Sequence, residues 1–136
     1  MLEVPAVRQL AQRDLGEHAE MLRGHASRCT QAAEDGDMTV FLEADRDFHL
    51  SMLGLLDNGR LVQLVEMLRD QTRLYGLRTL AKEGKLVATS LEHFGLLDAV
   101  LAGDPDRAAE EMVKHLAHVR GDWADAGDQD QPDTLD

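Results

Sequence analysis

Cysteine occurs once in these 136 residues, at Cys29, so the chain forms no internal disulfide and offers no thiolate metal cluster. A lone cysteine also suits a reducing cytoplasm. Aromatic side chains are scarce: beside Trp123 and Tyr75 there are three phenylalanines, so Leu, Val, Ala and Met must fill the interior. Basic residues are outnumbered, 14 Lys and Arg against 26 Asp and Glu, for a formal net charge of −12. Phosphate contacts require clustered Lys and Arg, so this balance argues against a nucleic-acid-binding surface, and equally against an anionic membrane. No apolar run approaches the ~20 residues of a membrane span, and no signal-peptide pattern opens the chain. There is no convincing strand-like alternation and no internal repeat. The hydrophobic fraction of 43% and charged fraction of 29% are those of a globular domain long enough for one core.

Nearly all of the sequence reads at helical period. A first helix is expected from Leu2 to Arg13, with Pro5 in its opening turn, where proline is tolerated. Asp14 can cap a second helix running to about Glu34, with Leu15, Ala19, Leu22, Ala26 and Cys29 on one side. Asp35-Gly36-Asp37 stops that helix and caps a third, from Met38 to about Leu56. After Asp57-Asn58-Gly59, with Asn58 as N-cap, a fourth helix carries Leu61, Leu64, Val65, Leu68, Thr72 and Tyr75 along one stripe. It ends between Tyr75 and Leu80. A fifth spans about Leu86 to Ala102, and Gly103 ends it. Asp104-Pro105 supplies an N-cap with proline at N1 for the last, which runs to about Trp123. The expectation is an all-α antiparallel bundle of about six helices over residues 1–123. Residues 124–136, with five Asp and little that is apolar, are expected to be a disordered tail.

The third helix holds the unusual chemistry. At about 100° per residue, Phe41, Asp45, Phe48, His49, Met52 and Leu56 fall on one stripe. A carboxylate on the core side of a helix costs several kcal/mol unless it is paired, protonated or metal-bound. His49 emerges one turn on from Asp45, so the two form either half of a metal site or a buried hydrogen bond tying helices together. His93 shares a stripe with Leu86, Leu96, Leu97 and Val100. His115 borders the face of Ala108, Met112, Leu116, Val119 and Trp123, roughly 60° from its centre. Histidine is not often fully buried, so three at core-facing phases on three helices stand out. Asp45, His49, His93 and His115 form an N₃O set that fits a divalent ion such as Zn²⁺, Ni²⁺ or Mn²⁺. Such a centre, with open positions, would attract a small carboxylate. Neither paired Glu-x-x-His motifs nor a His-Glu-x-x-His motif is present.

Asp45-Arg46-Asp47-Phe48-His49, then Leu91-Glu92-His93, Leu97-Asp98-Ala99-Val100, Gly103-Asp104, Ala108-Ala109, Met112 and His115-Leu116 resemble the FCD domain. This is the C-terminal, effector-binding domain of the FadR branch of GntR-type transcription regulators, and the likeness covers about residues 2 to 122. The resemblance implies a helical bundle that binds a small organic acid, often through a metal held at the positions of Asp45, His49, His93 and His115. It also implies a homodimer whose geometry shifts on effector binding, with DNA contacted only through a winged helix-turn-helix ahead of this domain. No winged helix is expected within these residues, and the first bundle helix is expected to begin part-way, near Leu2-Glu3. An arginine that commonly precedes that point in the family and helps line the effector pocket is expected to fall outside these residues with it.

Plainer readings accompany these. His93 alone would be an ordinary core histidine, and His118, three residues after His115, sits about 120° from the centre of its face. His18 and His25 are expected to be solvated, Asp47 to lie on the surface and Cys29 to be plain core. Arg69, Thr72 and Tyr75 lie on or beside the inner face of the fourth helix. They are candidate effector contacts, with an inward arginine able to grip a carboxylate bidentately. The plainer reading makes Arg69 a solvent-paired side chain and the other two core-edge residues. The expected activity is sensing and not catalysis. The rival is a small metal-dependent hydrolase or lyase using a metal-bound water. It needs a general base, and no inward Glu stands out.

Overall fold

A computed structural model describes the backbone of residues 2–82 and 84–130, and the side chains of these residues apart from 71–80 and 118–130. Among the described residues the regular structure is entirely helical. The elements are α1 (Glu3–Leu10), a single 3₁₀ turn (Gly16–His18), α2 (Ala19–Asp35), α3 (Met38–Gly54), α4 (Gly59–Lys82), α5 (Leu86–Leu101) and α6 (Pro105–Asp130). The expected all-α bundle of six helices is what forms.

Local chemistry sets most boundaries. Asp37 caps α3 by accepting from the Val40 N–H at 3.1 Å, and Asn58 accepts from the Leu61 N–H at 3.2 Å in the first turn of α4. Asp104 accepts from the Arg107 N–H at 3.1 Å, with Pro105 opening α6. Gly36 and Gly103 take φ of 70° and 71°, the left-handed geometry that closes α2 and the turn after α5. Asp57, at φ 58°, makes the turn before α4.

Several ends differ from expectation. α1 stops at Leu10 because the Gln12 and Arg13 N–H groups bond three residues back, tightening the chain out of the α-helix. Asp14 does not cap α2: its Oδ1 accepts from the Gly16 N–H at 3.1 Å, and the 3₁₀ turn precedes the helix. α3 ends at Gly54, α4 continues to Lys82, and α6 is helical to Asp130, beyond the end expected at Trp123.

α2 packs chiefly on α3 and α5, while α6 packs on α5, α1 and α4. The main core gathers Val7, Leu10, Leu22, Phe48, Met52, Leu53, Leu96, Leu97, Val100 and Met112, all at 0% exposure. At ~1.5–3 kcal/mol for each large side chain removed from water, this cluster is the dominant stabilising term. A smaller cluster of Cys29, Ala32, Phe41, Ala44 and Leu86 closes the α2–α3 end. Cys29 is thus core, as expected.

The stripe expected on α4 is displaced. Val65 is buried and Leu61 partly so, but Leu64 and Leu68 are 47% and 48% exposed. The residue that turns inward one helical turn after Val65 is Arg69, at 7%. An inward guanidinium held by two carboxylates sets the rotation of α4, and two leucines are left half in water.

Candidate metal centre

Asp45 and His49 descend one turn apart from α3, His93 comes from the middle of α5 and His115 from α6. All four are buried, at 1%, 0%, 0% and 1% exposure. His115 lies within its apolar face and not beside it: α6 buries Ala108, Ala109, Met112 and His115, with Leu116 partly covered. The ring centroids of His49 and His115 stack at 5.3 Å and 13°, and His93 meets both edge-on at 5.2 and 4.7 Å.

One potential ligand atom from each residue lies within 4.8 Å of all the others. His93 Nε2 is 3.0 Å from Asp45 Oδ1, His49 Nε2 is 3.3 Å from His93 Nε2, and His49 Nε2 is 3.6 Å from Asp45 Oδ1. Ligands about 2.1 Å from a common ion stand about 3.0 Å apart in cis octahedral geometry and about 3.4 Å apart in tetrahedral geometry. The three atoms are therefore spaced like neighbours on one coordination polyhedron. Three imidazoles and one carboxylate are the donor set of a borderline divalent ion, so the residues fit such a metal.

The other side of three of the four side chains is held by a partner. His49 Nδ1 donates to Glu3 Oε1 at 2.8 Å, and His115 Nδ1 donates to Glu92 Oε1 at 3.0 Å. A carboxylate behind Nδ1 fixes the tautomer that leaves Nε2 facing the centre. Asp45 Oδ2 accepts from Arg69 Nη2 at 2.6 Å, which leaves Oδ1 facing the histidines. Arg69 Nη1 donates to Glu3 at 3.1 Å. Burial would by itself lower the pKa of Arg69, but Asp45 and Glu3 outweigh it and hold the guanidinium above its ordinary value.

The plainer expectation for Arg69, a solvent-paired side chain, is overturned: it is buried and joins α4 to α1 and α3. It also borders a cleft of about 440 Å³ lined by Thr39, Leu42, Glu43, Asp45, Arg46 and Asp70. The side chains of Thr72, Tyr75 and His118 lie outside the described residues. His18 and His25 are half-buried and not fully solvated, His25 Nε2 standing 3.5 Å from Ser51 Oγ. Asp47 is a surface partner of Arg28, as its phase predicts.

Sequence reasoning missed Glu3 and Glu92, having found no inward Glu. The signal existed. Glu3, Ala6, Val7 and Leu10 have the i, i+3, i+4, i+7 spacing of a buried face, and all four are buried. Glu92 falls on the row of Thr89, Leu96 and Ala99, each buried. Both carboxylates sit behind histidines, so neither is placed as a base beside the centre.

The FCD domain family model matches residues 1–118. The chain belongs to the FCD domain family. Curated relatives agree with this. The probable D-xylose utilization operon transcriptional repressor of Paenarthrobacter nicotinovorans is 29% identical over 109 residues, 80% of this chain and 48% of that protein. The putative transcriptional regulatory protein NedR of Micromonospora viridifaciens is 35% identical over 81 residues, 58% of this chain and 57% of that protein. The chain spans about half the length of the curated relatives it matches. As an FCD domain with regulators for relatives, it is a regulatory, effector-binding domain and not an enzyme. A cluster of one Asp and three His able to bind a metal accords with that family.

Proposed function

We propose that this FCD domain senses a small carboxylate at a divalent metal held by Asp45, His49, His93 and His115, and thereby controls DNA binding by a winged-helix domain outside this chain. The observation that carries the reading is the buried convergence of these four side chains from three helices. Zn²⁺ suits three imidazoles and a carboxylate, with Ni²⁺ or Mn²⁺ as alternatives that availability decides. A bound ion would supply positive charge and open positions suited to an anionic oxygen donor.

The chain's own residues do the rest. Glu3 and Glu92 orient two imidazoles, Arg69 orients Asp45, and the buried ring of Phe48, packed against His49 and His93, helps exclude water. Arg69, with Thr72 and Tyr75 further along α4, is proposed to contact the effector. Both η-nitrogens of Arg69 are engaged by Asp45 and Glu3, so gripping an effector carboxylate requires an exchange of partner. The effector must prefer one arrangement of the helices, because only differential affinity shifts an equilibrium. The domain is proposed to work as a cytoplasmic homodimer, a reading supported by the half-exposed Leu64, Met67 and Leu68 on α4.

The test is elemental analysis of protein purified without a metal-affinity tag, beside the Asp45→Ala/His49→Ala variant. About one equivalent of a transition metal in the parent and none in the variant is expected. A parent that takes up no metal even after incubation with Zn²⁺ or Ni²⁺ would sink the reading. Di- and hydroxycarboxylates are then screened for a metal-dependent rise in melting temperature.

A further inference from the structure

Among the described residues, Glu3 and Asp45 are the buried carboxylates, and they sit on different helices. Asp45 belongs to the proposed ligand set, whereas Glu3 is the first residue of α1 and stands behind it. Four side chains close a ring. Asp45 Oδ2 meets Arg69 Nη2 at 2.6 Å, and Arg69 Nη1 meets Glu3 Oε2 at 3.1 Å. Glu3 Oε1 meets His49 Nδ1 at 2.8 Å, and His49 Nε2 returns to Asp45 Oδ1 at 3.6 Å. The first three of these contacts are charge-assisted hydrogen bonds, which are stronger than neutral ones and little screened when buried. The apolar Ala6, Val7 and Leu10 and the exposed Arg8–Asp106 pair also hold α1, by contacts of a different sort.

We propose that Glu3 is a positioning residue that couples occupancy of the metal centre to the docking of α1. The proposal rests on reading Asp45, His49, His93 and His115 as metal ligands. An imidazole whose Nε2 faces a cation carries a more acidic Nδ1–H, so the bond from His49 to Glu3 tightens when the site is filled. Linkage makes the effect reciprocal: whatever factor a filled site adds to the docking of α1, a docked α1 adds to metal affinity. Arg69 keeps the device in register. It holds Glu3 by one η-nitrogen and Asp45 by the other, so movement of α1 is felt by two ligands at once. Helix α1 is also the element through which a DNA-binding domain ahead of it would be reached.

Amide hydrogen exchange at Val7 to Ala11, with and without Zn²⁺, tests this in the parent, in Glu3→Gln and in Arg8→Ala. Gln keeps an acceptor for His49 but removes the charge, so the fold is preserved and the coupling weakened. In the parent, Zn²⁺ is expected to slow exchange in α1 by about tenfold, and Glu3→Gln to lose most of that increment. Competition with a chromophoric chelator is expected to show a matching loss of zinc affinity, about tenfold, in Glu3→Gln. Arg8→Ala speeds exchange of α1 equally with and without zinc, because its contact does not reach the centre. A zinc increment in Glu3→Gln equal to that of the parent overturns the coupling, as does unchanged zinc affinity. Zinc bound by the parent with α1 unaffected overturns the coupling and leaves the metal site standing. A parent that binds no zinc overturns both.

Discussion

Asp45 answers to two demands, one from the histidines through Oδ1 and one from Arg69 through Oδ2. Removing one partner of a buried charge pair leaves the other uncompensated, at a cost of about 3–5 kcal/mol. Arg69→Met, which takes the cation from both Asp45 and Glu3, is therefore expected to destabilise the metal-free chain by about that amount in urea unfolding. Replacing the carboxylates with it, as in Glu3→Gln/Asp45→Asn/Arg69→Met, is expected to cost clearly less than the single change. Equal losses would mean the ion pair carries no such weight. His115 depends on Glu92 in a milder way, since the carboxylate orients the ring without burying a charge fully. Glu92→Gln is expected to lower zinc affinity about 10–100-fold while the helical circular dichroism signal is unchanged. Arg69 itself is no pH sensor. A basic group with a raised pKa contributes its stability fully below its unfolded value and loses it only as pH climbs through the folded one. That window lies above the ordinary arginine range, outside any working pH.

At the scale of elements, short connections and explicit caps hold the helices in place. Asp104 both accepts from the Arg107 N–H and follows Gly103, whose φ of 71° turns the chain from α5 into α6. Asp104→Ala is expected to cost about 1 kcal/mol in thermal or urea unfolding, with no effect on zinc affinity. A drop in zinc affinity would show that the start of α6 governs where His115 lies. α4 illustrates a competition between terms. Its apolar pattern favours one rotation and the Arg69 anchor another, and the anchor prevails because an unpaired buried guanidinium costs more than half-exposing two leucines.

For the whole molecule, the candidate metal centre lies where α3, α5 and α6 converge, with α1 and α4 supplying the outer partners. A ligand that binds only the folded state stabilises it by mass action, about 2.7 kcal/mol at a hundredfold excess over Kd. For a domain of this size that is a rise of about 10 °C in melting temperature on adding Zn²⁺. A chelator is expected to reverse it, and the Asp45→Ala/His49→Ala variant to show no response. A rise of the same size in the variant would place the bound zinc elsewhere on this acidic surface.

Helical period, capping residues and Gly/Asp turns determined the number and order of the helices, because those signals act within a few residues of chain. The same phases placed Asp45, His49 and His93 inward, and the face-bordering His115 close enough to join them. Tertiary structure alone decided which partners stand behind these side chains. Glu3 and Arg69 are 66 positions apart in the chain, and no local preference pairs them. Their meeting depends on α1 and α4 being packed on the same bundle. The rotation of α4, the depth of His115 and the inward turn of Glu92 follow from that packing, where charge pairing and burial are settled together.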